Sequence, residues 1–352
     1  MKTDVRPAIP WFRLTLLAWA LATAVRFTLL APFAGLSFDD SAYAEAGRRL
    51  AREGASYWGD TWRPLATWFV AGFHLLCGES ILNLALAFAT LRSLGELFLA
   101  FAARRLFPRV PSAPLFAVAL SASSFLGALY GRQHLASLLF SVPLALWLYA
   151  RFLDSGHWRD WLASAAAAGL VFLSHYNTIP ALLLMLGCEL ARQAWQREPW
   201  RRVTGRGIAA AALAFGVAMQ LGKLSYGLRN ELSFLRRVWD QISANQGRVP
   251  MRPWDGFLGS LSSWEGVSLL VGIAACVGIL ARAWRHAEER RWLAFAALPL
   301  VAGGIVFLRV NFGFLSFPRL YVFALPFLWL AAAGALARVL AAWRPTPGRL
   351  RL

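Results

Sequence analysis

The chain has 352 residues, 58% of them hydrophobic and only 15% charged, with a mean hydropathy of +0.51 and a net charge of +18. A soluble protein of this size averages about 25% charged and about 45–50% apolar residues, so the composition excludes a soluble enzyme and indicates an all-α polytopic membrane protein. The charge is nearly all Arg. In a soluble chain it would suggest nucleic acid, but between long apolar runs it fits basic cytoplasmic loops and anionic membrane lipid, with no nucleic acid partner.

In chain order, Lys2, Arg6 and Arg13 place the N-terminus in the cytoplasm, and Trp11 to Pro32 reads as a retained first span. Arg26 lies within it and requires a partner or a route to the interface. Residues 36–79 form the first extracytoplasmic loop. Asp39 and Asp40 open it, and Asp40 or Ser41 is expected to cap a helix that runs through Glu53. Ala42, Ala46 and Leu50 share one face of that helix, opposite Glu45, Arg48, Arg49 and Arg52. The three Arg read as headgroup contacts on a helix lying on the bilayer surface. Pro64 to Cys77 is apolar but, at about 14 residues, short of the roughly 20 a span requires. An interfacial helix there sends Ser80–Ala103 inward and puts Arg104, Arg105 and Arg109 in the cytoplasm, whereas a crossing would put them outside. The charge rule favours the interfacial helix.

Further spans are expected at Ser112–Tyr130, Leu135–Phe152, Trp161–His175, Thr178–Ala191, Gly207–Tyr226, Trp264–Ala281, Trp292–Leu308 and Leu320–Ala341. A basic loop holding Arg192, Arg197, Arg201, Arg202 and Arg206 separates the sixth span from the seventh, and residues 227–263 make a second large outer loop. The expected architecture is one membrane domain over 1–352, of about ten spans, in the inner (plasma) membrane with both termini cytoplasmic. Within these spans Arg26, Arg92 and Glu96 are the charges singled out. No internal repeat marks a secondary transporter. Cys77, Cys188 and Cys276 are isolated and the five His are scattered, so neither a disulfide framework nor a metal motif is visible.

This topology gathers polar residues on the outer side. They are Asp39 and Asp40; Arg132 and His134; His175, with Tyr176 and Asn177; Lys223 and Tyr226; and Arg319 after Pro318. Carboxylates and cations around one membrane-facing hollow suit a phosphorylated lipid headgroup and a general base. Each residue also has a plainer reading: Asp40 as a helix cap, His175 as a satisfied structural residue, Arg132 as an anchor at a helix end.

These segments resemble the GT-C class of membrane glycosyltransferases, in the branch of protein O-mannosyltransferases and the lipid A aminoarabinose transferase. Asp39-Asp40 stands where the family has Asp-Glu, and Trp62-Arg63-Pro64-Leu65 where it has His-Pro-Pro-Leu. Arg104 to Phe107, Gly131 to His134 and Pro318 to Tyr321 also fit. The resemblance implies a GT-C-like fold and transfer of a sugar from a polyprenyl-phosphate donor on the extracytoplasmic side, with inversion. It makes Asp39, beside Asp40, the catalytic carboxylate, while the gathering on the outer side puts Arg132, His134, His175, Lys223, Tyr226 and Arg319 around the lipid phosphate. The acceptor is an envelope lipid, glycan or protein. A divalent metal at Asp39 and Asp40 is compatible with this, though two adjacent Asp are a weak metal signal. The competing readings are a lipid or glycan transporter without chemistry, and a scaffold subunit.

Overall fold

The computed structural model describes residues 10–29, 38–53, 64–124, 135–175, 178–225, 235–236, 264–286, 292, 295–297, 299–301 and 322–343. The side chains of 38–40, 179–181, 183–184, 223–225 and 264–266 lie outside that description. The described residues are helical, with no strand. The helices are α1 (Trp11–Thr28), α2 (Phe38–Glu53), α3 (Pro64–Cys77), α4 (Ile81–Leu106), α5 (Ala113–Ser123), α6 (Ala136–Ser155), α7 (Trp158–Ser174), α8 (Ile179–Trp195), α9 (Trp200–Ser225), α10 (Trp264–Arg285) and, after a short 3-10 turn, α11 (Leu325–Trp343). Among them five are long and apolar enough to cross a membrane: α4, α6, most of α9 and α10, and the turn with α11.

Side-chain pairings fix the direction of each helix. Phe12 of α1 stacks on Phe101 of α4, while Trp19 donates its indole N–H to the Ser93 carbonyl at 2.7 Å. The start of α1 therefore meets the far end of α4, and the two are antiparallel. The connection between them, α2 and α3, begins and ends at the same end of the bundle. Neither helix makes a net crossing, which bears out the expectation that Pro64–Cys77 does not span. Pro64 begins α3, where its missing N–H costs nothing. Gly78, at φ +82°, ends it, and the Ser80 hydroxyl caps α4 by accepting from the Asn83 N–H at 3.0 Å.

The same logic orders the rest. Phe98 and Phe101 lie against Trp147, and Arg105 pairs with Asp154 at 3.2 Å, so α6 runs parallel to α4. Ser141 meets Ser174 while Tyr149 meets Trp161, so α7 runs back. Trp161 donates to the Arg206 carbonyl at 2.9 Å and Gly169 faces Ala214, so α9 follows α7. Glu96 shares a small cavity with Trp329, and Phe107 lies against Gly334, so α11 runs with α4. One end of the bundle thus collects the end of α1 and the start of α4; we call it the carboxylate end. The other collects Arg104, Arg105, Arg151, Arg192, Arg201 and Arg202, and is the arginine end.

Helices close up where glycine removes a side chain. A Cβ on Gly95 of α4 would collide with the Leu139 carbonyl of α6, and one on Gly47 of α2 with Val70 of α3. Under α2 and α3, Tyr43, Val70, Leu84, Phe88 and Leu91 form a small separate core.

Arg26 has the partner its position demanded. Its guanidinium pairs with Glu96 at 2.6 Å and donates to Ser93, while Arg92 pairs with the same Glu96 oxygen at 3.2 Å and donates to the Ser121 carbonyl at 2.8 Å. Glu96 is 3% exposed. Its second oxygen and the Trp329 indole N–H have no partner among the described residues. Both residues line a cavity of about 10 Å³, about the space one water needs.

Two expectations are corrected. The helix expected to be capped by Asp40 or Ser41 starts earlier, at Phe38, so Asp39 and Asp40 occupy its first turn. The expected basic loop is mostly helix: α8 runs to Trp195 and α9 starts at Trp200, so Arg201, Arg202 and Arg206 lie on α9. The description of the third expected span stops at Ser123, with Ser124 extended, and the rest of it lies outside the described residues.

Cys77, exposed at the end of α3, tests the direction of the α2–α3 connection. In intact vesicles a membrane-impermeant thiol reagent is expected to label Cys77 and a Ser41→Cys variant from the same side. Labelling from opposite sides would mean that α3 crosses.

Candidate functional site

Asp39 and Asp40 sit in the first turn of α2, where unpaired N–H groups and the helix dipole favour negative charge. Beyond this turn α2 is fixed by ion pairs. Glu45 takes Arg48 at 2.6 Å and also binds Arg49, and Arg52 makes a two-point contact with Glu79 at 2.6 and 2.7 Å. Hydrogen bonds from Arg49 and Arg48 hold the Glu45 carboxyl below its ordinary value, and Arg52 does the same for Glu79. The three Arg read as headgroup contacts are therefore engaged within the protein. Glu79 tethers the last turn of α2 to the start of α4.

His175 is the predicted site residue whose side chain falls within the description. It closes α7 as an extended residue, is 9% exposed, and its carbonyl accepts from the Thr178 hydroxyl at 2.7 Å. Ser174 beside it meets Ser141 of α6 at 2.9 Å. These bonds fix the end of α7 at the carboxylate end.

Lys223 lies in the last turn of α9, at that same end, with its side chain outside the description. Arg132, His134, Tyr226 and Arg319 lie outside the described residues, as do Tyr176 and Asn177. The helix ends that flank them lie at one end of the bundle. Leu135 leads into α6 at the carboxylate end, Ser225 closes α9 there, and Val322 leads into α11 there. Among the described residues no group of three or more His, Cys, Asp or Glu could hold a metal ion.

One polar cluster escaped the sequence reading. Glu189, fully buried inside α8, accepts from Tyr149 of α6, from Arg192 at 2.6 and 2.7 Å, and from Gln193 at 2.7 Å. Glu189 lies inside an expected span, so the charges within the apolar helices are not confined to Arg26, Arg92 and Glu96. The available signal was the Glu–Arg pair three residues apart in an apolar stretch. It was missed because Arg192 was assigned to a loop.

Known proteins share parts of this sequence and fold. The family model for dolichyl-phosphate-mannose-protein mannosyltransferases matches residues 62–219, less than half of the chain. The crystal structure of ArnT from Cupriavidus metallidurans bound to undecaprenyl phosphate superposes with a TM-score of 0.57 at 18% identity, covering 93% of this chain and 59% of that one. No curated protein matches the sequence. The fold is therefore that of a GT-C-like polytopic membrane protein.

The ion pairs of α2 carry a pH dependence. Glu45 and Glu79 have folded-state values below the ordinary 4.5. Their contribution is complete above pH 4.5 and is lost as pH falls through the lowered values. Hydrogen exchange is expected to show protection of α2 at pH 7 that falls by pH 3 more than that of α4. Equal loss in both helices would contradict this.

Proposed function

We propose that this chain is a membrane glycosyltransferase that takes a sugar from a polyprenyl-phosphate donor at the carboxylate end of the bundle and passes it to an envelope acceptor. One observation carries the reading. The antiparallel pairing of α1 with α4 keeps α2 and α3 at one end, so Asp39 and Asp40 share that end with His175, Lys223 and the helix ends next to Arg132, His134, Tyr226 and Arg319. The family match and the ArnT-like fold support it.

The chemistry follows from the donor. A sugar phosphoester already carries a competent leaving group, so no general acid is required. Asp39 takes the proton of the acceptor hydroxyl. The hydroxyl oxygen bonds the anomeric carbon as the bond from that carbon to the phosphate oxygen breaks on the opposite face, inverting the centre. The electron pair leaves with the lipid phosphate, and Arg132, Lys223 and Arg319 neutralise the charge that gathers there. Asp40 holds the second negative charge of the site, and His134, His175 and Tyr226 border the headgroup. The extracytoplasmic side, the inner membrane and cytoplasmic termini belong to this proposal.

The transporter reading asks for charges available along a path at mid-membrane. The described intramembrane acids, Glu96 and Glu189, are instead each engaged by Arg.

Transfer of radiolabelled sugar from a polyprenyl phosphate to an acceptor extract tests the proposal. Asp39→Asn is expected to lower the rate about 10²- to 10⁴-fold, the range of a lost general base, while protein yield is unchanged. Equal transfer by wild type and variant would remove Asp39 from the mechanism.

A further inference from the structure

A hollow that the proposed chemistry does not use lies along most of the length of α7, from Trp161 to Phe172, with Leu235 also lining it. A groove of about 680 Å³ runs between α7, α8 and α9. Protein interiors are close-packed, yet the walls here are small: Ala165, Ala168 and Gly169 on α7, and Ala211, Ala214 and Ala218 on α9. Its polar lining, Tyr149, Ser164 and Glu189, is gathered toward the arginine end, whereas Phe172 and Met219 bound it toward the other. Glu189 is already neutralised by Arg192, so this end presents no free negative charge.

Two observations identify an occupant. The first is length. From Ile208 to Met219 the groove runs for about 16 Å at the helical rise of about 1.5 Å per residue, close to half of a hydrocarbon core about 30 Å thick. That is the reach of an acyl chain in one leaflet. The second is charge. Ile208, Ala212, Phe215 and Met219 fall on one stripe of α9, and Arg201 continues that stripe two turns beyond the groove. Arg201 is exposed, lies 5.8 Å from the Trp200 ring centre, and makes no ion pair among the described residues. Trp158 of α7 and Trp200, both more than half exposed, flank the same level, as aromatic residues do at headgroup depth.

We infer that this groove holds one acyl chain of an anionic phospholipid, with its phosphate at Arg201. Arg201 lies at the arginine end, opposite the proposed catalytic end, so the headgroup bound there is distinct from that of the sugar donor. The site rests on the fold and does not depend on glycosyl transfer.

Native mass spectrometry of the full chain tests this after exchange into detergent containing phosphatidylglycerol, phosphatidylcholine or undecaprenyl phosphate. Wild type is expected to retain one phosphatidylglycerol per chain, at least tenfold over phosphatidylcholine. Arg201→Gln is expected to erase that preference. Ala212→Phe, which fills an exposed position on the groove stripe, is expected to lose the lipid. Arg285→Gln, an exposed arginine at the same end on α10, is expected to change nothing. Thermal melting confirms that each variant is folded. The inference is overturned if wild type shows no preference, or if Arg285→Gln acts like Arg201→Gln. It is also overturned if undecaprenyl phosphate displaces the bound phosphatidylglycerol, which would make the groove a donor site.

Discussion

A carboxylate shared between two guanidinium groups holds the first part of this protein in place. Glu96 sits deep in α4, with Arg26 reaching it from α1 and Arg92 from the preceding turn of its own helix. Charges inside a membrane are costly unless paired, and removing one partner of such a group typically costs about 3–5 kcal/mol. The pairing therefore does more than satisfy Arg26. It locks α1 against α4 in the antiparallel sense, and Arg92 carries the same network to the Ser121 carbonyl of α5. Once α1 and α4 are antiparallel, the polar segment between them has to begin and end at one end of the bundle.

The candidate site follows from that constraint. α2 carries the acidic pair in its first turn and is held down by the Gly47–Val70 contact with α3 and by the Arg52–Glu79 tether. The parallel course of α4, α6 and α11, and the return of α7 and α9, bring five further helix ends to the same end. The bundle beneath those helix ends is tied together by buried ion pairs and small-residue contacts. The small side chains that let helices close up elsewhere leave a hollow between α7, α8 and α9, where a third, looser partner faces them.

Much of this was legible in the sequence because its signals are local. The bounds of α3 followed from Pro64 and from an apolar run that stops before Gly78, and its failure to cross followed from the Arg distribution alone. The partner of Arg26 was not named in advance, because a contact across 70 positions leaves no local trace. The errors have physical causes. Arg201, Arg202 and Arg206 were read as loop because basic residues follow a span, yet Arg is a good helix former and Arg206 is paired with Glu198 at 2.9 Å. Asp40 or Ser41 is the cap expected of a polar residue ahead of a helix, yet Asp is also favoured in a first helical turn. Two of the three partners of Glu189, Arg192 and Gln193, lie on its own helix, and Tyr149 is brought to it by the fold.

The account stands on a lipid-linked sugar phosphate meeting the start of α2. A polyprenyl phosphate bearing a photoreactive group beside its phosphate, crosslinked to the protein in membranes and mapped by peptide mass spectrometry, tests that most directly. Crosslinks are expected in the peptides spanning 36–43 and 130–136. Crosslinks confined to the arginine end, with none near Asp39, would contradict it.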